Sequence, residues 1–415
     1  RSENFEGGAD EYHGTGGPLN VSKLRHTCVL SDAFVNSASH AGYKELDDFN
    51  RDEREGLGYY HVTQANGQRC STAKGYLTQA KHRNNLTVLT KVAAEKVLLK
   101  EGRAIGVQVR EKGAVNRYFA TSEVILCGGA INSPQLLMLS GIGPRAELEE
   151  KGIFVQQDLP GVGKNLQDHL DAIVQFTCKA REGYAVAFGA LPSYVKATAD
   201  YAFKRKGIFS SNIAEAGGFV SSSLASQGPD IQFHFLPAIL NDHGRQLAFG
   251  YGYGLHVCCL YPKSRGTISL QSNHPADQAL IDPNYLSHPD DQKVMIDGVR
   301  IARKILAAPE FEQFQGTELY PGADAETDEE ILEFLRERSE TIYHPIGTCK
   351  MGSDDDPMAV VNNELKVRGI EALRVVDASV MPSLIGGNTN APTIMIAERA
   401  AEFIKASHEG QPVPI

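Results

Sequence analysis

The strongest constraint on this chain is a pattern that occurs twice: a short apolar run, a glycine-bearing turn, then a helix with an apolar face. In TSEVILCGGAINSPQLLMLSGIG, the run Val124–Cys127 has the length of a buried strand and is closed by Gly128 and Gly129. Asn132 or Ser133 can cap the following helix, with Pro134 in its first turn, where a missing N–H costs nothing. Leu136, Leu137 and Leu139 supply its apolar face, and Gly141 falls at the C′ position. In LRVVDASVMPSLIGGNTNAPTIMIAERAA, Leu373–Val376 make a second buried strand with Asp377 at its carboxyl end. A Gly/Asn/Pro-rich loop then enters a helix expected to start near Asn390 to Thr393, its stripe carrying Ile394, Ile396, Ala397, Ala400 and Ile404. Strands that run straight into helices belong to α/β layers, whose ligands bind outside the carboxyl ends of the strands. Asp377 and the turn at 388–393 therefore stand where a ligand is expected.

A second motif invites a different reading and fails it. GIGPRA, Gly141 to Ala146, matches the dinucleotide pattern G-x-G-x-x-G/A, but it follows a helix, whereas that motif needs a strand feeding its first glycine. It is read here as a helix stop followed by a tight turn. Upstream, NLTVLTKVAAEKVLLKEGRAIGVQVR reads as strands joined by a hairpin at Lys-Glu-Gly-Arg. From about Val155 to Tyr343 strand-like runs (AIVQFTCKA, IQFHFLPAIL, LHVCCLYP, GTISLQS) mix with helical ones, DDQKVMIDGVRIARKILAA and TDEEILEFLRERSE. The last opens with a capping box, Thr327-x-x-Glu330. An antiparallel sheet with helices on one side fits that mixture.

Composition narrows the partners. The formal charge of −10 is spread along the chain, with no basic block to neutralise successive phosphates, so no nucleic-acid partner is expected. No apolar run approaches the roughly 18 residues that span a bilayer. Seven scattered cysteines without a C-x-x-C give neither a disulfide framework nor a metal site, and a cytoplasmic setting is the simplest one. The opening RSENFEGGADEYHG has no signal-peptide character and no initiator Met.

Several chemistries fall away. GVGKNL lacks the Ser/Thr and upstream glycine of a P-loop, and Ser71-Thr72-Ala73-Lys74 matches S-x-x-K without its S-D-N and K-T-G partners. TIYHPIGTCKMG is the sharper candidate. His344 lies beside Gly347 and Thr348, and Asp377 and Asn390 follow within fifty residues. A neutral imidazole can take a hydroxyl proton near pH 7, and an asparagine amide can hold the resulting oxygen.

Taken together, five stretches resemble the glucose–methanol–choline (GMC) flavoprotein oxidoreductase family, in family order along most of the chain. They are HGTGGPL (13–19), GGAINSPQLLMLSGIG (128–143), GVGKNLQDH (161–169), YHPIGTCKMG (343–352) and the segment 373–401. The resemblance implies FAD in a Rossmann-like α/β domain and a substrate domain over a six-stranded antiparallel sheet. Its members oxidise alcohols, the hydroxyl proton going to a histidine and hydride to flavin N5. On that pattern His344 matches the general base and Asn390 the second catalytic position, occupied by His or Asn in different members. Asp377 and Ala378 match the strand end that meets the FAD phosphates and ribityl chain. Pro392 and Thr393, with Asn390, open the helix aimed at the flavin N1–C2=O edge. Ala94, in TKVAAEKV, matches a backbone contact to adenine; no metal is implied.

One departure is large. The G-x-G-x-x-G fingerprint, its acidic partner and the flavin loop are not in this sequence, so the FAD domain reads as incomplete, with roughly a hundred residues expected ahead of residue 1. A chain so shortened is expected to retain little FAD. The expected division is 1–60 for substrate-domain elements, 61–155 for the middle of the FAD domain, 156–343 for the substrate domain and 344–415 for the rest of the FAD domain. The implied activity is that of an FAD-dependent alcohol or choline dehydrogenase or oxidase. A hydroxynitrile lyase on the same scaffold, or a flavin-free inactive fragment, are the alternatives. With no tryptophan, the best cation-π partner, a neutral primary alcohol is favoured over choline. The acceptor stays open among quinone, dye and oxygen, as does peripheral membrane association.

Overall fold

The computed structural model describes residues 1–409, apart from a few side chains. Two compact units emerge: residues 1–87, 170–260 and 289–342 in the first, and 88–169, 261–288 and 343–415 in the second. Residues 61–87 thus cluster with the first unit, and 156–169 and 261–288 with the second.

An eight-stranded sheet organises the first unit. Its strand order is Gln315–Tyr320, Leu170–Cys178, Gly252–Cys259, Ile231–Leu236, Ala216–Val220, Gly56–Tyr59 and Glu45–Leu46, and Glu340–Thr341 also pairs with Leu170–Cys178. All pairings are antiparallel except the last, Glu45–Leu46 on Gly56–Tyr59. The six strands implied by the resemblance become eight because two-residue segments add to Leu170–Cys178 and to Gly56–Tyr59. Alternation along Ile231–Leu236 sends Ile231, Phe233 and Phe235, all fully buried, to one face. There Phe34 of the Val29–Asn36 helix stacks on Phe235 at 4.9 Å. The Pro289–Leu306 helix reaches the same face through Gly298, where a Cβ would meet Val257 Cγ1 at 2.3 Å. The other face carries buried Asp171, Gln175, Gln232, His234 and His256. The capping box at Thr327 and Glu330 forms as read.

The second unit carries the α/β element. Val124–Leu126 and Leu373–Val375 pair in parallel, and the Gly129–Leu139 helix leaves the first of them. The hairpin forms between Val92–Lys100 and Arg103–Glu111, and both turn residues, Glu101 and Gly102, adopt the positive φ that a two-residue hairpin turn needs. Ala114–Phe119 completes that antiparallel sheet. GTISLQS departs from its expected place: Thr267–Ser269 pairs with Leu280–Asp282 in this unit. Leu126, Leu137, Met138, Ile346, Val375 and Val380 share one buried core. Both halves of the expected fold class, α/β plus α+β, are present.

Two local expectations are corrected. The helix starts at Gly129, not after Asn132 or Ser133, and Pro134 lies inside it. The cap comes from 248 residues away, because the Asp377 carboxylate accepts from Gly129 N at 2.9 Å, while Ser133 Oγ accepts from Gly128 N. Pro134 leaves the Ala130 carbonyl without its helical donor, and Thr348 Oγ1 donates to that oxygen at 2.6 Å. Within GIGPRA, Gly141 has the left-handed φ of a C′ residue, and a Cβ there would strike Phe154 O at 2.4 Å. Ile142–Gly143 is a two-residue strand, and the backbone N–H of Arg145, first in the next helix, donates to Asp158. This chain's own carboxylate therefore occupies the spot where the motif would put a phosphate.

Candidate active site

All seven residues singled out from the sequence, Ala94, His344, Asp377, Ala378, Asn390, Pro392 and Thr393, lie in the second unit. His344 is fixed from several directions. Tyr343 before it adopts φ +64, a left-handed conformation unusual for a tyrosine, and Pro345 follows. Its backbone N–H donates to Asp168 Oδ1 at 2.9 Å, and Tyr285 OH donates to the other Asp168 oxygen at 2.5 Å. The ring Nδ1 lies 2.9 Å from Nδ1 of His169, which is fully buried, with the two rings at 85°. Nε2 faces the Asn388 amide nitrogen at 3.5 Å, the outer limit of a hydrogen bond. Burial disfavours the imidazolium and pushes the His344 pKa down to about 4, so the ring is neutral at pH 7.

The loop 161–169 explains why these groups meet. Gln167 and Ile346 exchange backbone hydrogen bonds at 2.9 and 3.2 Å, which sets the His344 loop beside it. Gln167 Oε1 accepts from Leu384 N at 3.1 Å and its Nε2 donates to Pro382 O, tying down the loop that carries Asn388. Asn165 Nδ2 bridges Gly347 O and Pro382 O at 3.2 and 3.1 Å. Gly347, at φ +93, must be glycine, since a Cβ there would sit 2.4 Å from Asn165 O.

The remaining candidates are placed as follows. Asn390 is exposed and opens the 20-residue Asn390–Glu409 helix, two residues beyond Asn388, with Pro392 and Thr393 in its first turn. Asn388, not Asn390, is the amide beside His344. The Asp377 carboxylate is engaged within the chain: Oδ2 accepts from Gly129 N and from Ser133 Oγ at 2.5 Å, and Oδ1 accepts from Ser379 N at 2.8 Å. Ala378, half-buried, follows at the strand end, and Ala94 is exposed on the outer strand Val92–Lys100. Asp168, His169 and Asn388 were missed as site residues. The signal that could have found the first two was GVGKNLQDH, which places two titratable side chains directly after a rigid loop.

Sequence spacing also missed a titratable cluster in the first unit. His13 Nε2 lies 2.7 Å from Asp48 Oδ2 and its Nδ1 3.1 Å from Glu3 Oε1, with His61 Nδ1 3.8 Å from Asp48 Oδ1. Burial alone would lower the His13 pKa, but its hydrogen bonds to Asp48 and Glu3 outweigh that and raise it. Arg51 Nε donates to Asp48 at 3.1 Å, so this buried carboxylate is shared between His13 and Arg51.

The chain belongs to the GMC oxidoreductase family: models described as GMC oxidoreductase match residues 2–171 and 262–397. More particularly, it is 51% identical over 395 residues to an alcohol dehydrogenase [acceptor] of Pseudomonas putida, covering 95% of this chain and 71% of that protein. It is 42% identical to an oxygen-dependent choline dehydrogenase of Vibrio vulnificus, covering 100% of this chain and 74% of the relative. Among solved structures, pyridoxine 4-oxidase from Mesorbium loti superposes with a TM-score of 0.83 at 29% identity, covering 98% of this chain and 75% of the other. A formate oxidase of Aspergillus oryzae, solved to follow FAD modification, gives 0.90 at 26%, covering 99% and 77%. Among the described residues, no helix is long and apolar enough to cross a membrane.

Proposed function

We propose that this protein is an FAD-dependent oxidoreductase that oxidises the CH–OH group of a small primary alcohol, with His344 accepting the hydroxyl proton at Nε2. The pairing of His344 with Asn388 carries the reading. Two polar nitrogens 3.5 Å apart can both reach one oxygen placed about 2.8 Å from each, a geometry suited to a hydroxyl losing its proton. The imidazole is neutral and desolvated, so it can accept a proton, and the amide can donate to the oxygen as negative charge develops.

The donor set fits the redox end of a flavin. The Asn390–Glu409 helix begins two residues after Asn388, with Asn390 and Ala391 exposed in its N-terminal turn, and a helix start favours negative charge. Asn390, Pro392 and Thr393 would border the ring system, Ala378 the chain leading to the phosphates, and backbone atoms at Ala94 the adenine. When bound there, FAD supplies the hydride acceptor. With its carboxylate engaged by Gly129, Ser133 and Ser379, Asp377 acts by shaping the Gly128–Gly129 turn.

A neutral alcohol is favoured over choline by the greater identity to the relative named for alcohol and by the lack of tryptophan for a cation-π cage. The test is anaerobic mixing of the FAD-loaded protein with straight-chain primary alcohols and, separately, with choline. Bleaching of the flavin band by the alcohols at lower concentration than by choline is expected. Bleaching by neither would end the oxidoreductase reading, and preference for choline would end the neutral-substrate reading.

A further inference from the structure

We propose that His169 is a positioning residue that fixes the tautomer of His344, accepting the His344 Nδ1 proton and so leaving the Nε2 lone pair free to act. Its consequence for turnover rests on the proposed role of His344 as base, but the tautomer itself rests on hydrogen bonds alone. One proton lies between two ring nitrogens 2.9 Å apart, and it belongs to one ring or to the other. Were it on His169, neutral His344 would carry its proton on Nε2, which would then face a substrate hydroxyl as a donor. The second contact decides. Asn388 presents its amide nitrogen, a donor, to Nε2 at 3.5 Å, which favours a lone pair there and so the proton on Nδ1.

The neighbourhood is built for that role. Consecutive residues hold both parts of His344, Asp168 taking the backbone N–H and His169 the ring. His169 is fully buried, so the acceptor beside Nδ1 comes from this chain. Among the described residues no carboxylate holds the His344 ring, whereas His13 has one at each nitrogen. A neutral imidazole as the acceptor orients the base without stabilising its protonated form as strongly as a carboxylate would. The base thus stays available at low pH, and the imidazolium formed on proton uptake keeps the same Nδ1–H bond to His169.

The test combines a spectroscopic readout with a conservative rescue in the FAD-loaded protein. In 15N-histidine-labelled protein, with His344 signals assigned by their loss in His344→Ala, Nδ1 should show the shift of a protonated nitrogen and Nε2 that of an unprotonated one. His169→Asn offers an oxygen near the place of Nδ1 and should keep both that tautomer and the flavin reduction rate to within about 3-fold. His169→Leu keeps volume and removes the acceptor. It should mix the tautomers and slow reduction by about 30-fold, with substrate affinity changed about 2-fold at most. A protonated Nε2 in the wild-type protein would overturn the proposal even if no variant folds. So would a Leu variant that reduces at the wild-type rate, or an Asn variant as slow as the Leu one. If instead the tautomers behave as stated while His344→Ala reduces its flavin normally, the base assignment falls and the tautomer assignment stands.

Discussion

Two histidines of this protein, His13 buried and His344 half-buried, face opposite electrostatic surroundings. His13 in the first unit lies between Asp48 and Glu3 and its pKa is raised, whereas His344 in the second touches His169 and Asn388 and its pKa falls to about 4. Burial penalises the cation at both. At His13 two carboxylates outweigh the penalty and favour the protonated ring; at His344 no such partner offsets it, and the ring keeps an available lone pair. The same side chain therefore serves as an ion-pair centre in one unit and as a candidate base in the other.

The largest effect that could break this contrast is chemical. His344→Ala should slow flavin reduction by alcohol about 1,000-fold, within the range for loss of a general base, while its thermal midpoint stays near wild type. Stopped-flow bleaching checks this, and an unchanged rate would move the base elsewhere. Next, Asn388→Ala should cost about 100-fold in the same measurement and Asn390→Ala clearly less, because only the former faces Nε2. Equal losses would return the second catalytic position to Asn390.

The mirror-image change belongs to stability. Asp48→Asn removes the carboxylate that favours the protonated form of buried His13 and should cost about 3 kcal/mol in denaturant unfolding, with little change in the reduction rate of the folded protein. A loss near zero would mean that the His13 cluster is not an ion pair.

The smallest effects are in pH. Because the folded pKa of His13 is raised, its stabilisation is complete below about 6.5 and is lost as pH climbs through the higher folded value. His344 is depressed, so its contribution is present above about 6.5 and disappears as pH falls towards 4. Unfolding free energies from pH 6 to 9 should fall in the wild type and flatten in His13→Gln. Over the same range kcat/KM for reduction should have no acid limb of its own, its limb lying near 4. An acid limb near 6.5 would show that His344 is not desolvated as found.

How much of this was legible varies with the range of the interactions. Short-range chemistry could be read: the Glu101–Gly102 turn, the Thr327–Glu330 box, the Gly141 helix stop and the helix beginning at Asn390 all depend on residues within a few positions. The start of the Gly129–Leu139 helix could not, because its cap is Asp377 and the partner that excuses Pro134 is Thr348. His344 was found because its loop has a distinctive composition. His169 was passed over because its meaning lies in a contact across 175 residues.

The sequence by itself determined the elements, the family and the histidine on which the chemistry is proposed to turn, since propensity, capping and ordered motifs are local properties of the chain. Only the tertiary structure decided which asparagine faces that histidine, that Asp377 is spent on a helix start, and that His169 lies against the histidine's ring. Those choices depend on distances of 2.5–3.5 Å between segments far apart in sequence, and such distances are fixed only when the loops pack.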